Sequence, residues 1–402
     1  MPQWRRNIYI LLFAQFLVMS SMSLVMPFLP LYIQEMGVAQ DKVAFWAGWI
    51  FGINFLSSFI VSPIWGNLAD RYGRKVMVLR SGFGMAIITG LMGAASNVWQ
   101  LLILRLFNGM ISGFIPASIA LVAATTPKSQ IGYAMGLLQA GGVAGSILGP
   151  FIGGVLATWI GFREIFYITG FLLFMAALLV LFLVKEENKP NPKDHPRGQF
   201  IQNYKRVLQT PYILPLFFIG FMIQFATLLS LPLISLYVQE LMPTSDKIEL
   251  FAGITAAVMG FSNMLFAPIL GRWGDRHGSQ KILFYSVLGA AVAFIPHAFV
   301  VNIWQLLILR FLLGMCVGGL LPSLNSLVKK YANKDLESLT YGFSNSSVAL
   351  GNFLGPIIGG YLVGLISLRG LFIMASILLF ITWLWMKRMF AREDTHEMLN
   401  NL

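Results

Sequence analysis

A chain of 402 residues that is 57% hydrophobic and only 11% charged is too apolar for a soluble globular protein, in which about a quarter of residues are charged. Its solvent is lipid. The net charge of +12 raises nucleic acid as a partner, a reading that the placement of those charges removes.

Apolar runs of membrane-spanning length predict twelve helices, at 7–33, 44–66, 76–95, 98–122, 131–158, 163–184, 212–239, 250–271, 281–301, 303–328, 338–366 and 369–390. The runs are continuous rather than alternating, which favours helices over a barrel. Arg5-Arg6 before the first run imitates a secretory signal. However, PFLPLYIQEM (27–36) recurs 205 residues later as PLISLYVQEL (232–241), so the first helix is expected to remain as the partner of the seventh. With the N-terminus inside, 22 Lys/Arg fall in cytoplasmic segments, four (Lys42, Arg163, Lys247, Arg369) fall outside, and Arg105 and Arg310 lie within helices. This bias predicts a multi-pass protein of the cytoplasmic membrane with both termini inside, whose basic residues orient it in the bilayer rather than bind nucleic acid. The single Cys316 leaves the redox compartment open.

Between the second and third helices, GNLADRYGRK (66–75) carries Gly66, Asp70, Arg71, Gly73 and Arg74. Its glycines suit a tight turn and close helix approach, and its charges can pair or face helix ends. A charged turn explains any one of them. Recurrence as GRWGDRHGSQK, with Asp275 and Arg276, points to a gate.

The fourth helix opens NVWQLLILRLFNGM (97–110) and the tenth NIWQLLILRFLLGM (302–315), identical at ten of fourteen positions. Arg105 is expected roughly 12 Å inside the membrane at about 1.5 Å per residue. A cation there costs about 2.5–3.5 kcal/mol on insertion scales and so faces the protein interior or water. Either helix carbonyls and waters satisfy it, or it serves proton coupling or substrate. For Arg310 a symmetric relic is a further alternative.

On the fifth helix Gly141, Gly145, Gly149 and Gly153 share one face, as do Ser347, Gly351, Gly355 and Gly359 on the eleventh. Small residues at this spacing let helix backbones touch, and Pro150 and Pro356 bend the helices there. These faces are expected to pack tightly and to form sliding contacts between the two halves. The chain therefore reads as a duplicated six-helix unit: a bundle over 1–187, a cytoplasmic linker over 188–210 and a second bundle over 211–402. The stretch KEENKPNPKDHPRGQF (185–200) is charged and Pro-rich, and an amphipathic helix is expected to begin near Phe200. Parallel six-helix repeats are a transporter plan with the substrate path between the halves.

The chain resembles the major facilitator superfamily, and within it the twelve-helix drug:proton antiporter branch that includes bacterial multidrug efflux pumps of the fluoroquinolone/fosfomycin type. The likeness is carried by residues 66–75, by Arg105 with Gly109, by GxxxGPxxGG at 145–154 and by MPFLP at 26–30. It implies a functional monomer in which Asp70 meets the N-terminus of the eleventh helix, with Arg71 and Arg74 completing a latch and Asp275 and Arg276 forming a weaker copy. In one respect the chain departs from that branch, because none of its sixteen Asp and Glu is placed mid-membrane. Glu35, Glu240 and Asp41 are then the proton-site candidates, since burial on closure would raise a carboxylate's pKa. Gln15, Asn54, Asn108, Gln139, Gln224, Asn263, Asn325 and Asn345, with Arg310, are candidates to line a polyspecific cavity among Phe, Met and Trp. Such a cavity favours zwitterionic or anionic amphipathic drugs over strong cations. No P-loop, HExxH, GxSxG or metal-ligand cluster is present, so neither enzyme activity nor a cofactor is expected, and the resemblance implies that a proton gradient drives the cycle. The alternatives are a proton-coupled transporter of a sugar or other metabolite, a membrane-embedded enzyme, or a sensor.

Overall fold

The structure, a computed structural model, describes residues 2–186, 206–210, 212–333 and 336–400, without the side chains of Asn67, Asp70, Ser338 and 391–400. Among the described residues every regular element is helical. Eleven helices are long and apolar enough to cross a bilayer, and the last, Leu339–Phe390, breaks at Ser367, giving twelve spans.

The first span runs Gln3–Val25, tightens to a 3-10 turn at Met26–Phe28, and resumes over Leu29–Glu35. Pro27 and Pro30 lack the N–H that would continue the α-helical ladder, which accounts for the tightening. The seventh span repeats the form around Pro232, with Ile213–Leu228, Leu231–Leu233 and Ile234–Leu241.

The second span, Gln40–Tyr72, and the eighth, Ile248–His277, continue as helix through the repeated glycine and arginine motif. The turn is confined to Gly73 (φ 99°) and Gly278 (φ 95°), a backbone region that favours glycine. Gly66 does not serve close approach: an added Cβ would meet nothing within 4 Å. The third and ninth spans, Arg74–Gly93 and Ser279–His297, start directly after these turns.

The fourth span is two helices, Val98–Ile111 and Phe114–Thr125, parted at Ser112-Gly113. The tenth divides likewise into Ile303–Val317 and Leu320–Tyr331. Their shared opening sequence is a reciprocal cap. Asn97 Oδ1 accepts from Gln100 N–H at 3.0 Å and Gln100 Oε1 accepts from Ser96 N–H at 2.8 Å. Asn302, Gln305 and Val301 repeat the arrangement at 3.0 and 3.0 Å. One helix-start donor and the N–H of the residue just before the N-cap are thus satisfied in each span.

The fifth and sixth spans, Ile131–Ile160 and Phe162–Leu183, meet at Gly161 (φ 88°). Ser367 occupies the corresponding junction with φ 64° and ψ 170°, and its Oγ accepts from Gly370 N–H at 3.4 Å. Of the expected linker over 188–210, only 206–210 are described; Val207 there is buried beside Ile213 and Phe217. The expected helix start near Phe200 lies outside the described residues.

The glycine faces pack within each half. A Cβ on Gly141 would come 2.6 Å from the Leu12 carbonyl, and one on Gly145 2.5 Å from that of Phe16. Gly149 and Gly153 face the Ser20 and Leu24 carbonyls of the same first span. Gly351, Gly355 and Gly359 likewise press on Phe221, Phe225 and Leu229 of the seventh span. These glycines therefore form seams between the first and fifth and between the seventh and eleventh spans, which corrects for them the expectation of contacts between the halves, whereas Pro150 presents its carbonyl to Gly253 of the eighth span. Spacing reveals which face is small but not which helix covers it.

Two compact units emerge: Met1–Arg197 with Pro232–Ala257, and Gly198–Leu231 with Val258–Leu402. Within the first unit Gln34 Nε2 donates to Gln239 Oε1 at 3.0 Å. There Gly253 abuts the Pro150 carbonyl, and a Cβ on Gly154 would lie 2.9 Å from that of Glu249.

Candidate functional site

At the start of the third span, Glu186 receives two backbone donors. Arg74 N–H reaches Oε1 and Lys75 N–H reaches Oε2, each at 2.9 Å. Lys75 Nζ donates to the Leu181 carbonyl at 2.8 Å, and Asn7 Nδ2 to that of Lys185 at 2.8 Å. A carboxylate at a helix N-terminus satisfies orphan donors and opposes the positive end of the helix dipole. Glu186 falls within the stretch that reads as linker, and no sequence signal separates it from its charged neighbours. Arg71 is exposed with its guanidinium 5.5 Å from the Tyr72 ring centroid. Asp275 and Arg276 are exposed as well. The Asp70 side chain, for which the latch is expected, lies outside the described residues.

The break in the fourth span frees backbone acceptors. Pro116 has no N–H for the Ser112 carbonyl, and the left-handed Gly113 (φ 134°) turns the chain away above Met110. Arg80 Nη2 donates to the Ser112 carbonyl at 3.3 Å, and Trp65 Nε1 donates to that of Met110 at 2.6 Å. The Arg80 guanidinium sits 3.4 Å from the Trp65 ring centroid, so the two donors brace each other. Irregular backbone at membrane depth needs such partners. Arg80 therefore belongs to the protein interior, which corrects its place among the cytoplasmic cations; it stands too near a basic cluster for its role to be read from the sequence. Beside the break is a cavity of about 190 Å³ lined chiefly by apolar groups, with Asn54, Ser58 and Ser112 as its polar side chains. Ser112 Oγ donates to Ser58 Oγ at 2.9 Å.

Arg105 and Arg310 are both buried, at 6% and 2% exposure, as their sequence setting requires. Their surroundings differ. Arg310 Nη1 lies 3.6 Å from Met259 Sδ, and its guanidinium is 5.8 Å from the Phe372 ring, which also packs on the fully buried His297 at 5.3 Å. Arg105 has no protein hydrogen-bond acceptor among the described residues and lines a second, smaller cavity with Ser21, Thr89, Asn108 and Thr169. Asn108 Nδ2 donates to Thr89 Oγ1 at 3.2 Å.

The remaining expected cavity residues scatter. Gln15 is buried against Gly142 at the seam of the first and fifth spans; Gln224 and Asn263 are half-buried. Gln139, Asn325 and Asn345 are exposed, and Tyr341 Oη donates to the Asn325 carbonyl at 3.0 Å. Glu35, Asp41 and Glu240 are all exposed, and the neighbouring Gln34 and Gln239 side chains are hydrogen-bonded to each other. Among the described residues no cluster of His, Cys, Asp and Glu could hold a metal.

Twelve spans in duplicated sets of six, buried arginines at equivalent positions and a polar break beside an apolar cavity define a helical membrane transporter of the duplicated kind. The chain belongs to the Major Facilitator Superfamily, whose sequence profile matches residues 11–245 and 216–401. It is similar to multidrug resistance protein MdtG of Dickeya zeae (strain Ech586), with 38% identity over 401 residues covering 98% of both chains. Likeness to MdtG of Salmonella arizonae (strain ATCC BAA-731 / CDC346-86 / RSK2980) is 40% over 380 residues, 94% of each chain. Among solved structures, a bacterial homolog of the human lysosomal transporter Spinster, inward-facing and occupied, superposes with TM-score 0.81 at 15% identity over 98% of both chains. Nucleoside transporter NupG gives 0.78 at 15% identity over 97% of this chain and 99% of its own. At such identity these structures speak for fold alone.

Proposed function

We propose that the chain is a proton-driven exporter of amphipathic small molecules, working by alternating access in the cytoplasmic membrane as a monomer with both termini inside. The observation that carries this reading is the near full-length identity of 38–40% with two multidrug resistance proteins. Support comes from the cavity beside the broken fourth span, where Met22, Phe55, Met85 and Phe114 offer an adaptable apolar wall and Asn54, Ser58 and Ser112 a few polar anchors. Met and aromatic surfaces repack around varied ligands, which suits a polyspecific carrier.

Energetics allow the coupling. A hundredfold gradient of neutral drug costs about 2.7 kcal/mol, whereas one entering proton supplies about 2.3 kcal/mol per 100 mV and about 1.4 per pH unit. One proton per cycle suffices, with no cofactor or covalent step. The test is accumulation of a fluorescent substrate and of a quinolone in inverted vesicles, with and without an imposed pH gradient. Gradient-driven accumulation lost in Asn54→Leu supports the reading. Wild-type protein that moves neither compound under any gradient overturns it and returns the chain to metabolite transport.

A further inference from the structure

The Arg105 cavity, about 20 Å³, has room for one water or one monatomic ion and lies wholly within the first unit. Its polar lining can supply donors from the Arg105 guanidinium, the hydroxyls of Ser21, Thr89 and Thr169, and the Asn108 amide. Ser21 and Thr169 are 0% and 1% exposed, and among the described residues neither hydroxyl has a hydrogen-bond partner, nor does Arg105 Nε. Thr89 accepts from Asn108 and keeps its own proton to give. Among the described residues no carboxylate lines the cavity. A buried guanidinium with no counter-charge is strongly unfavourable at membrane depth. One water accepts about two hydrogen bonds and brings no charge, whereas an anion accepts from several of these donors and also answers the uncompensated cation.

The duplicated half provides an internal control. At equivalent places, 205 or 206 residues on, Ser21 becomes Ala226, Thr89 becomes Phe294, Asn108 becomes Leu313 and Thr169 becomes Ala375. There the arginine meets the ring of Phe372. The same cation has thus been retained twice, once among aromatic and aliphatic groups and once inside a ring of hydroxyls around a pocket.

We infer that Arg105, Ser21, Thr89, Asn108 and Thr169 form a binding site for a single monovalent monatomic anion, a halide, inside the first six-span bundle. The anion neutralises Arg105 and ties the first, third, fourth and sixth spans together. The cavity size selects against a carboxylate carried by a larger molecule. The inference concerns binding alone and does not depend on what the chain exports.

Thermal unfolding of the purified full-length protein in sodium chloride, bromide, acetate or gluconate, at matched pH and ionic strength, tests it. Chloride and bromide are expected to raise Tm saturably by about 2 °C or more over gluconate. The shift should vanish in Arg105→Gln and in the double variant Ser21→Ala with Thr169→Ala, which installs the residues of the second half. Should Arg105→Gln fail to fold, the double variant decides. Equal wild-type Tm in chloride and gluconate overturns the site, as does a halide shift that persists in the double variant. An acetate shift as large as that of chloride assigns the cavity to carboxylates and overturns the halide.

Discussion

Gly149→Ala should be strongly destabilising even though alanine is the better helix former. A Cβ at Gly149 would stand 2.5 Å from the Ser20 carbonyl and 3.1 Å from Ser20 Cα, and would collide with Ser23 Oγ. Carbon contacts are comfortable at about 3.5–4.0 Å, so the first and fifth spans would have to part by roughly 1 Å. Backbone carbonyls have no rotamer in which to escape. Parting the pair would also loosen the contacts at Gly145 and Gly153 and the hydrogen bond from Ser23 Oγ to the Gly145 carbonyl, 3.2 Å. Overpacking of this kind costs about 1–3 kcal/mol, read as a fall of roughly 2–6 °C in Tm. Gly136→Ala on the same helix is the matched control, because nothing lies within 4 Å of its added Cβ. Thermal unfolding by size-exclusion fluorescence compares the two. Equal Tm for the Gly149 and Gly136 variants would refute the seam argument, since the substitution is chemically identical at both places.

Glu186→Gln should cost about 1 kcal/mol by weakening the two-donor cap at Arg74 and Lys75, and limited trypsin digestion should cut faster at those residues. Arg80→Ala should lower Tm more than Arg74→Ala, because only Arg80 leaves the Ser112 carbonyl without its donor, at about 1–3 kcal/mol; equal Tm values would argue against the brace. Ser367→Gly should raise stability by about 1 kcal/mol by relieving a backbone conformation that strongly favours glycine, whereas Ser367→Ala keeps the strain and loses the cap. A calorimetric or fluorescence melt that ranks alanine above glycine there would count against the strain.

What could be read before the fold was known follows from what a bilayer demands. Twelve apolar runs and a 205-residue offset are imposed by length and by duplication, so spans, repeats and the burial of Arg105 and Arg310 were legible. Gly73 and Gly278 marked turns correctly, but the preceding motif proved helical because nothing in GNLADRY forbids helix. Partnerships across the chain were not legible. Glu186 looks like any linker acid until the third span arrives beside it, and Arg80 looks like one more inside cation until Pro116 breaks the helix opposite. The amides illustrate the same limit: Asn54 and Asn108 line the two cavities of the first unit, while Gln139, Asn325 and Asn345 are equally polar and stand exposed. Composition assigns a side chain its chemistry, and only packing assigns it an address.

The first and fifth spans touch carbonyl to α-carbon along four successive turns at Gly141, Gly145, Gly149 and Gly153, and the seventh and eleventh do so at Gly351, Gly355 and Gly359. Side chains yield under load by changing rotamer, but main chain does not. Each pair is consequently a stiff two-rail beam with no slack along its length, so a displacement imposed at one end arrives at the other undiminished. Compliance in either half then comes from the jointed stretches beyond these seams, the 3-10 turns at Met26–Phe28 and Leu231–Leu233 and the broken middles of the fourth and tenth spans.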